Sequence, residues 1–196
     1  MVKIMIEEIK KSALNNKVPI MKDEGIEFLI SFIKENKIKD ILEIGTAVGY
    51  SAIRMASVSK DIKVTSIERD QERYLEAVKN IKQAKLEDRV DLIFNDALNV
   101  KLNSKFDLIF IDAAKGKNIE FFENFEKNLK SGGYIITDNL KFHGYVDMNL
   151  EDIESRNIRG LVKKIRKYVE FLKENKKYQT EFLELGDGIS VSKLKD

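Results

Sequence analysis

The chain has 196 residues, a net charge of +2, 43% apolar residues and 35% charged residues. This composition indicates a folded globular protein and excludes a disordered chain, and the length fits one domain with a substantial core. Apolar runs are short and interrupted by charges, so no segment is predicted to span a bilayer. The absence of cysteine excludes disulfides, thiolate metal sites and cysteine nucleophiles, and it suits a cytoplasmic location.

The N-terminal part has the pattern of two helices joined by an extended link. Apolar residues at helical spacing predict helices over residues 2–16 and 22–36. Between them, Pro19 disfavours helix at the residue before it. The segment Val18-Pro19-Ile20-Met21 is therefore expected to be extended.

From residue 40 onwards, predicted strands alternate with predicted helices. The strands fall at 40–44, 62–68, 90–94, 106–112 and 133–138, and the helices at 50–59, 70–85 and 117–130. The strands are nearly continuous apolar runs, which is typical of parallel strands buried on both faces. The alternation predicts the α/β class with a doubly wound sheet.

The C-terminal part adds a basic helix and a hairpin. A helix is predicted over about 156–175, followed by strands at 178–185 and 189–194. Gly186-Asp187-Gly188 separates these two strands and favours a tight turn. The complete prediction is a mostly parallel, Rossmann-like sheet of seven strands with a C-terminal antiparallel hairpin.

The segment from Ile41 to Ser51 has the pattern of a cofactor site at the end of a strand. An apolar strand runs into Glu43, then into a turn containing Gly45 and Gly49, then into a helix. Glycine allows a sharp turn and close approach of a ligand, and the free N–H groups of the helix face the same place. An ordinary strand–helix turn explains the glycines equally well when they are considered alone.

Glu68 ends the next predicted strand, 23 residues after Gly45. A carboxylate at this place accepts hydrogen bonds from both hydroxyls of an adenosine ribose, although a surface acid is an equal alternative. The third glycine of the dinucleotide-binding motif is missing, and Glu43 would repel a pyrophosphate but suit a sulfonium. Together these features favour S-adenosylmethionine over a nicotinamide cofactor.

Asp112, Asp138 and Asn139 follow two predicted strands that are expected to be neighbours. Carboxylate and amide oxygens are the donors that Mg²⁺ prefers. Asp138 and Asn139 are also common loop-starting residues, and it is the presence of Asp112 on the adjacent strand end that makes the metal site plausible.

Lys115 lies three residues after Asp112 and is close enough to reach the same pocket. A nearby divalent cation lowers the pKa of a lysine, so Lys115 is the candidate general base, although most lysines are simply solvated. His143, in a predicted loop, is expected to be exposed or to face the substrate rather than to bind a metal.

Three segments carry a family resemblance. EIGTAVGYS at 43–51, FIDAAKG at 110–116 and ITDN at 136–139 resemble the class I, cation-dependent methyltransferases of the catechol type. The resemblance spans residues 18–194 and is closest to the bacterial members that methylate 5-hydroxyuridine at the tRNA wobble position. The loop after Asn139 departs from the pattern, because His143 stands where a lysine is expected.

The resemblance implies an Mg²⁺-dependent O-methyltransferase that forms a homodimer. Asp112 and Lys115 would act in catalysis, and the metal would be bound by Asp112, Asp138 and Asn139. In addition to Glu43 and Gly45 of the glycine turn, the residues implied to contact S-adenosylmethionine are Met21, Ser51, Glu68, Asp96, Ala97 and Asp112. The single domain, 1–196, would contain an N-terminal helical segment (1–38), a cofactor-binding core (39–139) and a substrate-side part (140–196).

The methyl acceptor depends on how the basic helix is interpreted. Residues 155–177 contain nine Lys or Arg and two Glu, which fits either a solvated helix face or a surface for phosphates. The resemblance favours the anticodon region of tRNA. A small catechol or caffeoyl-CoA-like acceptor is the alternative, and a non-enzymatic S-adenosylmethionine-binding regulatory module is the third possibility.

Overall fold

The computed structural model describes residues 2–195. In the first helix, side chains are described from Met5 onwards. The helices and strands follow one another as α1 (Val2–Asn15), α2 (Asp23–Glu35), β1 (Asp40–Ile44), α3 (Tyr50–Ala56), β2 (Lys63–Glu68), α4 (Gln71–Gln83), β3 (Val90–Phe94), β4 (Phe106–Ile111), α5 (Asn118–Phe125), β5 (Leu129–Thr137), α6 (Arg156–Glu174), β6 (Tyr178–Leu183) and β7 (Ile189–Leu194). Between residues 2 and 195, no helix is both long and apolar enough to cross a bilayer.

The strands form one seven-stranded sheet in the order β3-β2-β1-β4-β5-β7-β6. The first five strands are parallel, and β7 runs antiparallel to both β5 and β6. This confirms the predicted doubly wound sheet with its antiparallel end. The strand order reverses between β1 and β4, which is where such sheets open a crevice for a ligand.

Helices cover both faces of the sheet. Ile41 packs into the core on the side of α1, α2 and α3, whereas its neighbour Leu42 packs on the side of α5 and α6. Successive side chains on a strand point to opposite faces, so a strand buried on both faces requires the continuous apolar run that the sequence shows. Two apolar layers therefore hold the carboxyl ends of the central strands in place.

Several predicted boundaries differ from the structure, two of them by four or more residues. Helix α5 ends at Phe125, earlier than predicted, and β5 begins at Leu129 instead of residue 133. Gly132 and Gly133 resemble a turn in the sequence, but they lie inside β5, where the ladder with β4 is irregular. A Cβ on Gly133 would lie 3.0 Å from the Asp107 carbonyl oxygen, so glycine permits this close approach within a strand.

Candidate active site

A cavity of about 310 Å³ opens at the carboxyl ends of the parallel strands. Its walls come from the ends of β1, β2, β4 and β5, from the loop after β3, and from the link between α1 and α2. Of the residues predicted from the sequence to form the site, those that line this cavity are Met21, Gly45, Ser51, Glu68, Asp96, Ala97, Asp112, Lys115, Asp138 and Asn139. One sheet edge therefore brings together residues that are far apart in the chain.

The two glycines of the first turn have different roles. Gly45 lines the cavity with φ +101°, and a Cβ there would lie 2.2 Å from the Asp112 carbonyl oxygen. Gly49 directly precedes α3 with a left-handed backbone at φ +82°, and its Cα faces Ala77 of α4. Gly45 thus permits contact between two strand ends, whereas Gly49 serves the turn into the helix.

Glu68 is held in place by backbone donors. Its Oε2 accepts a hydrogen bond from the N–H of Ala47 at 2.8 Å, and its Oε1 accepts from the N–H groups of Arg69 and Asp70, both at 2.9 Å. The residue is buried but lines the cavity. Each carboxylate oxygen has more than one lone pair, so a fixed acceptor remains for the hydroxyls of a ribose.

Glu43 lies beneath the cavity and is not among the residues that line it. Its carboxyl group accepts hydrogen bonds from the hydroxyls of Ser51 and Ser66, each at 2.5 Å, and Ser66 is in turn 2.6 Å from Thr46. Burial raises the pKa of Glu43 to about 8, against the opposing effect of the two serine hydrogen bonds. Glu43 therefore acts on the cavity through Ser51, which does line it.

The cavity has side walls on the link between α1 and α2 and on the loop after β3. Pro19, Ile20 and Met21 of the link line the cavity, and Met21 is buried against Gly25 of α2. Asp96 caps a short helical turn that starts at Ala97, and its Oδ1 accepts from the N–H of Leu98 at 3.0 Å. These contacts fix an apolar segment of the wall at the link and a polar segment at the loop after β3.

The two predicted catalytic residues are in direct contact. Lys115 Nζ lies 2.5 Å from Asp112 Oδ1, and both side chains are largely buried. Asp138 lies close enough for the charge of Asp112 to act on it: burial first, and then this neighbouring carboxylate, raises the pKa of Asp138. Two carboxyl groups thus share a poorly solvated space, which is unfavourable unless a cation or a proton is present.

Asn139 supports the interpretation of this group as a cation site. Its backbone is in the left-handed region at φ +71°, and its side-chain Oδ1 is buried without a hydrogen-bond partner. A buried amide oxygen without a donor is costly, and a hard cation such as Mg²⁺ would satisfy it. Among residues 2–195 there is no cluster of three or more His, Cys, Asp or Glu side chains that could hold a metal. The proposed set needs only two carboxylates, because its third donor is an amide.

His143 is exposed, as expected, and is not among the residues that line the cavity. Its Nδ1 lies 3.3 Å from Asp187 Oδ2, in the turn between β6 and β7. Sequence reasoning assigned Asp187 only to a tight turn. No local signal in the sequence indicates the contact between Asp187 and His143, because these residues are 44 positions apart.

Sequence reasoning also missed several residues of the cavity wall. Most of them are direct neighbours of predicted residues in the chain, so adjacency to a strand end is the signal that could have found them. They are Ile44, Thr46, Ala47, Tyr50, Ile67, Arg69, Asn95, Leu98, Ala113, Ala114 and Lys117, together with Arg73 and Phe121, for which the sequence gives no such signal.

The sheet order and the cavity at its switch point define the Rossmann-like methyltransferase fold. The model of the O-methyltransferase family matches residues 2–195, and the chain belongs to this family. It is therefore an enzyme, a methyltransferase that uses S-adenosylmethionine, and not a regulatory module that only binds this cofactor.

Individual relatives agree with this assignment. A caffeoyl-CoA O-methyltransferase of Populus kitakamiensis is 30% identical over 182 residues, which cover 89% of this chain and 76% of that protein. A Staphylococcus aureus structure, provisionally described as a caffeoyl-CoA O-methyltransferase, has a TM-score of 0.92 at 40% identity, covering 97% of this chain and 92% of that one. An O-methyltransferase of Bacillus cereus in complex with S-adenosylhomocysteine has a TM-score of 0.82 at 28% identity, covering 97% of this chain and 90% of that one.

Proposed function

We propose that this enzyme methylates a hydroxyl group of a small phenolic acceptor, such as a catechol or a caffeoyl-CoA-like thioester, with the help of Mg²⁺. One observation carries the proposal: Asp112, Asp138 and Asn139 line the same cavity as Gly45 and Glu68. An acceptor oxygen held by a cation at the first three would thus share the cavity with the methyl donor. The names of the Populus and Staphylococcus relatives support the phenolic class.

The chain's own residues supply binding and orientation. Glu68 would hold the ribose hydroxyls of the cofactor, and Met21 would cover it from the link. S-adenosylmethionine supplies an electrophilic methyl group on a sulfonium sulfur and leaves as S-adenosylhomocysteine. Asp112, Asp138 and the free Oδ1 of Asn139 would hold Mg²⁺, which when bound lowers the pKa of a hydroxyl and fixes its position.

Lys115 is placed to accept the acceptor's proton. Its Nζ contacts Asp112, which keeps the amine at the edge of the proposed cation site. The transfer would require Lys115 in its neutral form, so that Nζ can take the proton of the acceptor hydroxyl. The acceptor oxygen would then be free to take the methyl group that S-adenosylmethionine supplies when bound. Orientation of the donor and the acceptor in one cavity would account for much of the expected acceleration.

A second candidate acceptor is 5-hydroxyuridine in the anticodon region of tRNA. Exposed Lys163, Lys164 and Lys167 on α6 favour it, because lysines attract phosphates. Two other basic side chains of α6 are already engaged in the protein: Arg159 donates to the Ile153 carbonyl, and Arg166 donates to two carbonyls of the loop before the helix. The basic surface is therefore smaller than the composition of the helix implies.

Transfer of a labelled methyl group tests both candidates. Purified protein is incubated with labelled S-adenosylmethionine, Mg²⁺ and one of three acceptors: catechol, caffeoyl-CoA or tRNA containing 5-hydroxyuridine. We expect labelling of a small phenol, loss of activity with EDTA and recovery with added Mg²⁺. Labelling of tRNA alone would establish the second candidate, and activity that resists EDTA would contradict the metal assignment.

A matched variant separates the two acceptors further. The double change Lys163→Gln and Lys167→Gln removes two exposed charges from α6 without touching the cavity. It should weaken methylation of tRNA, most clearly at low salt, and leave methylation of a phenol unchanged.

The proposal includes a homodimer and a cytoplasmic location. The first is supported by the family resemblance and is tested by sedimentation equilibrium. The second is supported by the absence of cysteine.

A further inference from the structure

Asp187, in the turn between β6 and β7, contacts two segments at the edge of the cavity. Its carboxylate accepts hydrogen bonds from the backbone N–H of His143, at 2.9 Å to Oδ1 and 3.0 Å to Oδ2. Its Oδ1 also lies 3.3 Å from Lys22 Nζ. The side chain of Asp187 is only 8% exposed, so a poorly solvated carboxylate joins the loop after β5 to the link before α2.

The loop side of this contact follows directly after Asn139. The N–H of Leu140 donates to the Gly188 carbonyl at 2.9 Å, and the N–H of Lys141 donates to the Asp187 carbonyl at 2.7 Å. Further along, Phe142 and His143 have φ of +44° and +57°. Such a conformation costs free energy in a residue other than glycine and persists only when contacts hold it. The carboxylate of Asp187 supplies such a contact at His143.

The link side of the contact follows directly after Met21. Lys22 is half exposed, and its Nζ also lies 3.5 Å from the Gly186 carbonyl. Glu24 accepts from the N–H of Gly186 at 3.2 Å. The turn is thus bonded to the start of α2 as well as to the loop, and Met21 lines the cofactor side of the cavity.

We propose that Asp187 is a positioning residue that couples cofactor binding to binding at Asp138 and Asn139. A ligand that orders the link also fixes the position of Lys22. A ligand that orders the loop also fixes the position of the His143 backbone. Both then act on the same carboxylate, so each should favour the other. Such coupling is reciprocal by linkage. This inference rests on the proposed function, since it takes S-adenosylmethionine and a divalent cation as the two ligands.

Calorimetric titration of S-adenosylhomocysteine, with and without saturating Mg²⁺, measures the coupling without turnover. In the unaltered enzyme we expect Mg²⁺ to lower the Kd at least about fivefold. Asp187→Asn keeps the size of the side chain, one acceptor oxygen for the His143 N–H and the main-chain hydrogen bonds of the turn, but it removes the charge. The ratio of the Kd without Mg²⁺ to the Kd with Mg²⁺ should therefore fall to near one. Lys22→Gln should lower the ratio too, and because Lys22 is half exposed, this variant keeps the test decisive if Asp187→Asn does not fold.

Lys141→Gln is the matched control. Lys141 lies on the same loop, but its side chain pairs with Glu184 rather than with Asp187. This variant should retain the ratio of the unaltered enzyme. Equal ratios in all four proteins, or no coupling in the unaltered enzyme, would overturn the inference and leave the proposed function standing. An unaltered enzyme that binds neither ligand would overturn both.

Discussion

A Cβ atom on Gly45 would lie 2.2 Å from the carbonyl oxygen of Asp112. The turn after β1 and the end of β4 are therefore in backbone contact, and the N–H of Asp112 also donates to the Ile44 carbonyl at 2.9 Å. Gly45, which shapes the cofactor side of the cavity, thus fixes the position of Asp112, the candidate catalytic and metal-binding carboxylate.

Gly45→Ala should disrupt both the fold and the cavity. The new methyl group overlaps a carbonyl oxygen, and φ of +101° is unfavourable for alanine. We expect a loss of about 2–4 kcal/mol in the free energy of unfolding, measured by urea denaturation, and at least tenfold weaker binding of S-adenosylhomocysteine.

Gly160→Ala is the control for this change. Gly160 lies in α6, and a Cβ there would meet no atom within 4 Å. Alanine favours a helix, so this variant should be more stable by about 0.5–1 kcal/mol. Similar stability of the two variants would show that the close contact between Gly45 and Asp112 does not determine the stability of the fold.

Asp138→Asn should separate metal binding from cofactor binding. Asparagine is similar in size to aspartate but uncharged, so the site retains only one carboxylate. Calorimetry should therefore show a strong loss of Mg²⁺ affinity. Methyl transfer should fall about 100-fold or more, while the Kd for S-adenosylhomocysteine measured without Mg²⁺ changes little. Asp147→Asn, at an aspartate that is 68% exposed in the following loop, should behave as the unaltered enzyme. A fully active Asp138→Asn variant would remove this residue from the proposed site.

Lys115→Met should lower kcat without loss of cofactor. A general base contributes about 100-fold to 10,000-fold, and methionine retains the apolar stem of the side chain. We expect a fall in kcat of at least about 100-fold, with the Kd for S-adenosylhomocysteine within about threefold of the original. Lys101→Met, at an exposed loop lysine, provides the control. Retention of most of the kcat by Lys115→Met would assign the proton transfer to another group.

Glu43→Gln should change how stability depends on pH. The pKa of Glu43 is raised to about 8 in the folded protein, from an ordinary value of 4.5. Between these two values the folded state binds more protons than the unfolded state, so this residue lowers stability as pH rises, by at most about 1.4 kcal/mol per pH unit. Glutamine does not titrate and should remove this loss.

The measurement for Glu43 is urea denaturation of both proteins at several pH values from 5 to 8. The stability of the unaltered protein relative to Glu43→Gln should decrease steadily over this range. A constant difference would mean that the carboxyl group is already ionised in the folded protein at pH 5.

The bounds of β1, β3 and β7 agree with the prediction from the sequence. Each of these strands has a clear apolar or alternating run with polar or turn residues beside it, which are local features. The residues at the strand ends were also predictable, because parallel strands bring their carboxyl ends to one edge. That rule predicts that Glu68, Asp112 and Asp138 lie at one edge of the sheet, and all three line the cavity.

The start of β5 was not predictable in this way. A pair of glycines is typical of a turn, and only the pairing of Leu129 with Phe106 in the sheet shows that Gly132 and Gly133 continue the strand. Glu43 is a similar case. Its position beside the glycine turn indicated contact with the cofactor, but the side chain points into a buried serine network.

The sequence by itself determined the α/β class, the doubly wound sheet and the set of polar residues at its edge, because these depend on periodicity and on short segments of the chain. Only the tertiary structure decided which of these residues face the cavity, that Lys115 pairs with Asp112, and that Asp187 joins the link to the loop. Such contacts depend on the distance between side chains that folding brings together, and the separation of two residues along the chain does not specify that distance.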